Sequence, residues 1–249
     1  MKVSIITICF NSEEVIKKTI ESVLNQRMDE EINIEYLIID GASKDKTVEI
    51  AESYLDKMAE KGIDYKIFSE PDKGIYDAMN KGISKATGEL VGLINSGDWY
   101  EPEMVASAVK AYREDNYDIF YADINLVKAN GSIIVKHSKI DKFPTSRHWN
   151  HPTMVVTKAF YDKEGTYKCV GIHDDFEFFL RARKDNAKMS VRNEVLANLA
   201  TGGASNEKTL KKCKKRYKDR MEAYKANGYG GFRAWFECFG IEVAKFILS

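Results

Sequence analysis

"KVSIITICFNSEEVIKKTIESVLNQ" runs from Lys2 to Gln26. Its opening, Lys2 to Phe10, is a continuous apolar, largely β-branched run with no polar alternation. That is how a strand buried on both faces reads. From Glu13 to Gln26 the apolar positions change period. Val15, Ile16, Ile20, Val23 and Leu24 fall on one face of a helix, with Asn11 or Ser12 as its cap. The same unit then repeats. "IEYLIID" (Ile34–Asp40) predicts a second strand, and Ser43 or Asp45 caps a helix to about Ala59. "DYKIFSE" (Asp64–Glu70) predicts a third strand, followed by a helix over Gly74–Ala86 with Ile75, Met79 and Ile83 four apart. "ELVGLIN" (Glu89–Asn95) predicts a fourth, and Pro102 opens a helix to about Asp115. Strands alternating with helices predict an α/β fold with a mostly parallel, Rossmann-like sheet and right-handed crossovers.

In such sheets ligands bind beyond the carboxyl ends of the strands. Those four ends read Phe10-Asn11-Ser12, Asp40-Gly41-Ala42-Ser43, Glu70-Pro71-Asp72-Lys73-Gly74 and Asn95-Ser96-Gly97-Asp98. All are polar, three carry acids, and together they outline a site. The second half is less regular. "YDIFYADINLV" and "SIIVKHS" predict a hairpin turning at Asn130-Gly131. "HWNHPTMVV" reads as a loop entering a strand, Asp175 to Arg183 as a short helix with Phe176, Phe179 and Leu180 inward, and Glu207 onward as helix.

Composition narrows the function classes. The 249 residues carry 38 basic and 38 acidic side chains, so net charge lends no support to a nucleic-acid role. Four scattered cysteines form no C-x-x-C pair, which fits a reducing cytoplasm better than a zinc site or a disulfide framework. The first apolar run is too short for a signal peptide, and no window reaches the length of a membrane span. G-x-G-x-x-G after the first strand and G-x-x-x-x-G-K-[ST] are both absent, which argues against a dinucleotide dehydrogenase and a P-loop enzyme.

The candidate residues each carry two readings. Asp98 at a strand end suits Mg²⁺ or Mn²⁺, hard ions that take few carboxylates and complete their shell with water and phosphate oxygens. Gly97 would permit close backbone approach. Equally, Asp98 makes a turn or caps the helix at Pro102. Asp174-Asp175 open an aromatic helix, where the dipole favours a carboxylate able to act as a base. Equally, one of the two caps that helix while Glu177 and Arg181 form an i,i+4 pair. His148 and His151 flank Trp149-Asn150 with no other metal ligand near in sequence.

Several segments together resemble the family 2 glycosyltransferases of GT-A fold. They are "VSIITICFNSEEVIKKTIESVLNQ", "EYLIIDGASKDKT" and "SEPDKGIYDAMNKGISKATGELVGLINSGDWY". The likeness is greatest to bacterial enzymes that build capsular polysaccharide, exopolysaccharide or lipopolysaccharide side chains. It covers Lys2 to about Tyr100, resumes at "HPTMVVTKAFYDKEGTY" and "DDFEFFLRA", and fades at "TGGAS". The resemblance implies an inverting, hexosyltransferase-type enzyme with a nucleotide-sugar donor, UDP by default, and Mg²⁺ or Mn²⁺. It implies that Thr7, Cys9, Phe10, Asn11, Asp40, Asp72, Lys73, Asn80, Asn95, Ser96 and Gly97 lie along the nucleotide. Asp98 would meet the metal and Asp175 would be the base. Trp99, His151, Asp174 and Arg181 become acceptor-side candidates, and Gly202-Gly203 a loop closing over the donor. Two departures stand out. Gly97 thins the family's acidic signature to one acid, and Met79-Asn80 stands where many members carry Arg-Asn, leaving Lys73 or Lys81 to compensate.

The resemblance divides the chain into a catalytic region, 1–205, with a nucleotide half (1–100) and an acceptor half (101–205), and a helical tail, 206–249. From Lys208 to Arg220 the tail holds eight basic residues against one acid, with Leu210, Cys213, Tyr217 and Met221 as a narrow apolar stripe. Phe232, Trp235, Phe236, Phe239, Val243, Phe246 and Ile247 follow at helical spacing. A basic segment beside an aromatic one reads as a docking element for an anionic membrane surface. That suits a saccharide acceptor carried on polyprenyl diphosphate at the inner face of the cytoplasmic membrane. The other reading packs the last helix on the catalytic region or on a second subunit, as in a homodimer. The architecture also admits a sugar-phosphate nucleotidyltransferase, though the acidic end of "ITICFNSEE" suits triphosphate poorly. The thinned acidic signature admits a non-catalytic nucleotide-sugar-binding subunit.

Overall fold

The computed structural model describes residues 1–27, 29, 31–201 and 210–248. The four predicted strands form side by side: β1 (Lys2–Cys9), β2 (Asn33–Asp40), β3 (Asp64–Ser69) and β4 (Leu90–Asn95). They pair in the order β3-β2-β1-β4, all parallel. Register lines up their carboxyl ends, with Cys9 opposite Asp40, Asp40 opposite Ser69 and Ile8 opposite Asn95. The acid-rich ends therefore share one rim.

Beyond β4 the sheet turns mixed. β5 (Trp99–Tyr100), β6 (Ile119–Val127), β7 (Ile133–Lys136), β8 (Val155–Thr157) and β9 (Met189–Ala200) complete it. β8 inserts antiparallel between β4 and β6, β9 runs parallel to β6, and β5 closes the order against β9. β7 forms the predicted hairpin with β6, and Gly131 takes φ +81° at its turn. Sequence periodicity misses β9, because one of its faces is solvated and Arg192, Asn193 and Glu194 interrupt its apolar run.

Helices cover both faces. α1 (Ile16–Leu24), α2 (Thr47–Glu52), α3 (Leu55–Glu60) and α5 (Met104–Asp115) lie on one face; α4 (Ile75–Lys85), α6 (Lys158–Glu164) and α7 (Asp174–Lys184) lie on the other. Alternate residues of β1 divide between the cores, Ile5 to the first and Ile6 to the second. Each fully buried Ile contributes about 1.5–3 kcal/mol. Two expectations change. The single helix to Ala59 is two short ones broken at Ser53-Tyr54, and α1 begins at Ile16, capped by neither Asn11 nor Ser12. Instead, Asn11 adopts φ +46° and its Oδ1 accepts the Lys44 N–H, while the Ser12 N–H donates to Thr47 Oγ1. Those bonds join the loops after β1 and β2.

The tail folds as α8 (Leu210–Ala226) and α9 (Phe232–Leu248), broken where Gly228 and Gly231 adopt positive φ. Ala223, Tyr224, Ala234 and Cys238 join the second core beside α7. α8 and α9 thus pack against the second core of the sheet. No helix among the described residues is long and apolar enough to cross a membrane.

Candidate active site

The Asn95–Asp98 loop is held from behind by α1. Gly97, at φ +96°, donates its N–H to Thr19 Oγ1 (3.0 Å), and that hydroxyl donates to the Asp98 carbonyl (2.7 Å). Ser96 Oγ meets Ser12 Oγ at 2.9 Å, tying this loop to the one after β1. Asp98 is 6% exposed. Its Oδ1 accepts one bond, from the Ala200 N–H at 3.0 Å, and no hydrogen bond reaches Oδ2 among the described residues. Burial pushes the carboxyl up to about 7, against the lowering by Ala200. Nearby, Asn95 Oδ1 is buried with no hydrogen-bond partner. Beside it, Lys18 Nζ sits 3.0 Å from the Trp99 ring centre, a cation–π contact that pins the indole at the loop's exit.

A buried carboxylate with one amide for company is costly in water and favourable beside a cation. Asp98 and the Asn95 carbonyl oxygen are hard oxygen donors that fit Mg²⁺ or Mn²⁺. Among the described residues, no cluster of three His, Cys, Asp or Glu side chains forms a complete metal cage. Any ion here would draw most of its shell from substrate phosphate and water.

Asp40 organises the neighbouring pocket. Its Oδ2 accepts the Ser43 N–H (3.0 Å) and Ser69 hydroxyl (2.6 Å), and its Oδ1 accepts the Ser43 hydroxyl and, weakly, the Cys9 thiol (3.7 Å). The carboxylate is fully buried and fully used, so a base N–H must displace one serine to reach it. Burial, then Asp40, pushes the Cys9 thiol well above its ordinary value, leaving it neutral. Phe10 stands 60% exposed over this pocket. Gly41 lies where a Cβ would come within 2.5 Å of Asp72 Oδ2 and 3.2 Å of the Phe10 ring. Asp72 Oδ1 in turn accepts the Gly74 N–H at 2.8 Å, and Lys73 extends into solvent beside it. Of the two lysines expected to compensate for the missing arginine, Lys81 is held by the Pro71 carbonyl (2.7 Å) and Glu70 (3.5 Å).

Asp175 opens α7 at the same rim. Its Oδ1 accepts the Tyr76 hydroxyl (2.8 Å) and the Phe176 N–H (2.8 Å), and Oδ2 has no hydrogen bond among the described residues. Tyr76 comes from the first turn of α4, directly after the Asp72-Lys73-Gly74 loop. α4 and α7 therefore meet at one side-chain bond. Sequence reasoning missed Tyr76, since its partner lies 99 residues away. Gly41, by contrast, was visible as part of a polar strand end.

Several expected site residues make bonds to the scaffold. Thr7 is fully buried and pairs with the Tyr36 hydroxyl at 2.9 Å, away from the rim. Asn80 clamps the Tyr167 backbone, donating to its carbonyl (2.8 Å) and accepting its N–H (3.0 Å). Arg181 binds the carbonyls of Glu164 and Thr166, bracing the end of α6. Asp174 caps no helix; it accepts the N–H groups of Val170 (2.7 Å) and Gly171 (3.0 Å) and shapes the loop before α7. His151 packs between Trp149 and Tyr167, with Nε2 3.3 Å from the Tyr167 hydroxyl. Burial holds its imidazole below the ordinary value, against the pull of Asp175, so it is neutral. His148 pairs with Asp141 at 2.7 Å. Gly202 and Gly203 lie outside the described residues.

The model of the family described as "Glycosyl transferase family 2" matches residues 4–176. The chain belongs to that family. The match favours this family over the nucleotidyltransferase reading. An uncharacterized glycosyltransferase of Mycobacterium tuberculosis is 44% identical over 110 residues, 44% of this chain and 39% of that protein. The chain thus spans about two fifths of that relative's length. Two solved structures share the GT-A fold over 99% of this chain. S. aureus TarS 1–349 in complex with UDP-GlcNAc has a TM-score of 0.63 at 18% identity and is 82% covered. A mannosyltransferase from Pyrobaculum calidifontis, in complex with GDP-Man and Mn²⁺, has a TM-score of 0.63 at 14% identity and is 69% covered.

Proposed function

We propose that this glycosyltransferase moves a sugar from a nucleoside-diphosphate donor, a UDP-sugar by default, to a saccharide hydroxyl with inversion at the anomeric carbon. The observation that carries the reading is the pair of rim carboxylates in opposite settings. Asp98 is buried with one amide, and Asp175 is half-exposed with Oδ2 open. The donor lies along the nucleotide half, 1–100, with its nucleoside between Phe10 and the Asp40–Ser43 turn, beside Asp72 and Lys73. The acceptor enters from the 101–205 half past Trp99. Mg²⁺ or Mn²⁺ held by Asp98 and the Asn95 carbonyl oxygen would supply positive charge beside the donor diphosphate.

This chain's own residues do the rest. Asp175 Oδ2 takes the proton of the acceptor hydroxyl, and the oxygen attacks the anomeric carbon opposite the nucleotide. The bond from that carbon to the diphosphate oxygen breaks, releasing nucleoside diphosphate. Tyr76 and the Phe176 N–H hold Oδ1, so that Oδ2 meets the acceptor. The base makes no covalent bond to sugar, since inversion needs a single displacement. The role we propose is in cell-surface polysaccharide synthesis, on a saccharide or polyprenyl-diphosphate-linked saccharide, at the inner face of the cytoplasmic membrane.

The test is a panel of UDP-, GDP- and dTDP-sugars with Mg²⁺ or Mn²⁺ and saccharide acceptors, with the product anomer read by NMR. Product of inverted configuration, lost in Asp175→Asn while UDP binding is kept, is expected. Retained configuration, or full transfer by Asp175→Asn, would overturn the reading.

A further inference from the structure

α9 turns its large aromatics outward and both its carboxylates inward, beside the small buried Ala234 and Cys238. A helix on a protein surface normally turns charge outward and apolar residues inward. Here the carboxylates turn in. Glu242 is 9% exposed and accepts Arg216 Nη2 at 2.9 Å and Nε at 3.1 Å. Glu237 pairs with Arg147 at 3.0 Å. The aromatics turn out: Phe232 is 80% exposed, Phe236 57%, Phe239 51%, Trp235 42% and Val243 37%. Their rings stack on one another, Phe232 on Trp235 at 5.7 Å and Trp235 on Phe239 at 5.3 Å. The row spans about 16 Å at 1.5 Å per residue. From Phe232 to Val243, Arg233 is the one exposed charged residue, and its guanidinium lies 4.8 Å from the Phe143 ring centre.

We propose that this row is a membrane-docking face, with α9 lying in the plane of an anionic lipid surface. The charge pattern selects this occupant. The exposed charged side chains described on α8, which packs against α9, are Lys214, Lys215, Lys218 and Lys225 against one acid, Glu222, which lies 3.8 Å from Lys218, while the α9 acids are withdrawn into ion pairs. Stacked Trp and Phe beside lysines match acyl boundary beside phosphate headgroups. Of the two segments the sequence offered for docking, the structure keeps the aromatic one whole and withdraws part of the basic one. Arg216 and Arg220 of the basic run are buried, and Tyr217 and Met221 of its apolar stripe pack toward the α7 core, so neither reaches a membrane. The inference rests on the reading of a lipid-carried acceptor, whose product it would hold near the surface.

The experiment is flotation of the full chain with phosphatidylcholine vesicles, with and without phosphatidylglycerol, without substrate. Co-flotation that needs phosphatidylglycerol is expected, with quenching of Trp235 by brominated acyl chains that vanishes in Trp235→Phe. Phe236→Glu with Phe239→Glu should cut the bound fraction at least about tenfold, keeping the circular dichroism spectrum and transfer to a water-soluble acceptor. Lys214→Glu with Lys215→Glu and Lys218→Glu should remove the preference for anionic lipid. Flotation unchanged by Phe236→Glu with Phe239→Glu, or absent from the native chain, overturns the proposal. So does a native dimer by light scattering that Phe236→Glu makes monomeric, which would assign the row to a second copy. Transfer activity is measured separately, so failure of the function reading stays distinct from failure to bind vesicles.

Discussion

Asp98 and Asp175 stand on the same rim and are built in opposite ways. Asp98 hangs from a strand end that α1 clamps through Thr19, is nearly sealed from water, and has one amide for support. Asp175 begins a helix, keeps water access, and is aimed by a tyrosine from another helix. A carboxylate denied water and partners is poised for a cation. One left half in water, with one oxygen anchored and one open, is poised to move a proton. Under the proposed function the same side chain would take two roles because its surroundings differ, which nothing in the adjacent residues announces.

The comparison breaks most readily at Asp175. Asp175→Asn should lower kcat about 10²–10⁴-fold with UDP affinity unchanged, measured by transfer assay and calorimetry. Equal loss of UDP affinity would erase the distinction between the two acids. Asp98→Ala should weaken metal-dependent donor binding on the order of 10²-fold and make it indifferent to EDTA. In metal-free protein, Asp98→Asn should raise Tm by roughly 2–4 °C, because a buried, poorly partnered charge is removed. A fall in Tm would mean the carboxylate is structural. Gly41→Ala should push on Asp72 and Phe10 and weaken UDP about tenfold, near 1.4 kcal/mol, with kcat at saturating donor kept.

Smaller effects sharpen the contrast. Tyr76→Phe should reduce kcat about fivefold and leave UDP affinity alone, the reverse of Gly41→Ala. Glu35, at the amino ends of the strands, is the control for electrostatics away from the rim. Burial raises its carboxyl, but hydrogen bonds from the Ser4 hydroxyl, the Thr87 N–H and hydroxyl, and Lys2 overcome this and hold it at about 2. Its folded value lies below its ordinary 4.5, so its stabilisation is present above pH 4.5 and lost as pH falls toward about 2. Glu35→Gln should flatten acid unfolding in that window and leave transfer at neutral pH intact. An unchanged acid limb would mean the network contributes nothing.

The legibility of this chain follows the range of its interactions. Strands β1 to β4 were readable because burial on both faces demands unbroken apolar runs, and their polar ends marked the rim. β9 was not, because a half-solvated strand interrupted by charges loses its period. Lone Asp98 was readable as a turn or a metal position, and the resemblance favoured the second. Thr7, Asn80 and Arg181 sat at the right places in the pattern, yet the Thr7 hydroxyl, the Asn80 amide and both Arg181 Nη groups already bond to Tyr36, Tyr167 and the backbone at and just after the end of α6. Sequence position ranks residues by address, and only packing shows which way a side chain points.

By itself, then, the sequence determined the parallel half of the sheet, the rim on which acids gather, and the family. These rest on periodicity and on local turn chemistry, which act within a dozen residues. The tertiary structure decided which acids are desolvated, which oxygens are already taken, that Tyr76 aims Asp175, and that α9 shows its aromatics to the outside. Those are properties of contacts between residues far apart in the chain, and desolvation and hydrogen-bond saturation exist only once such contacts form.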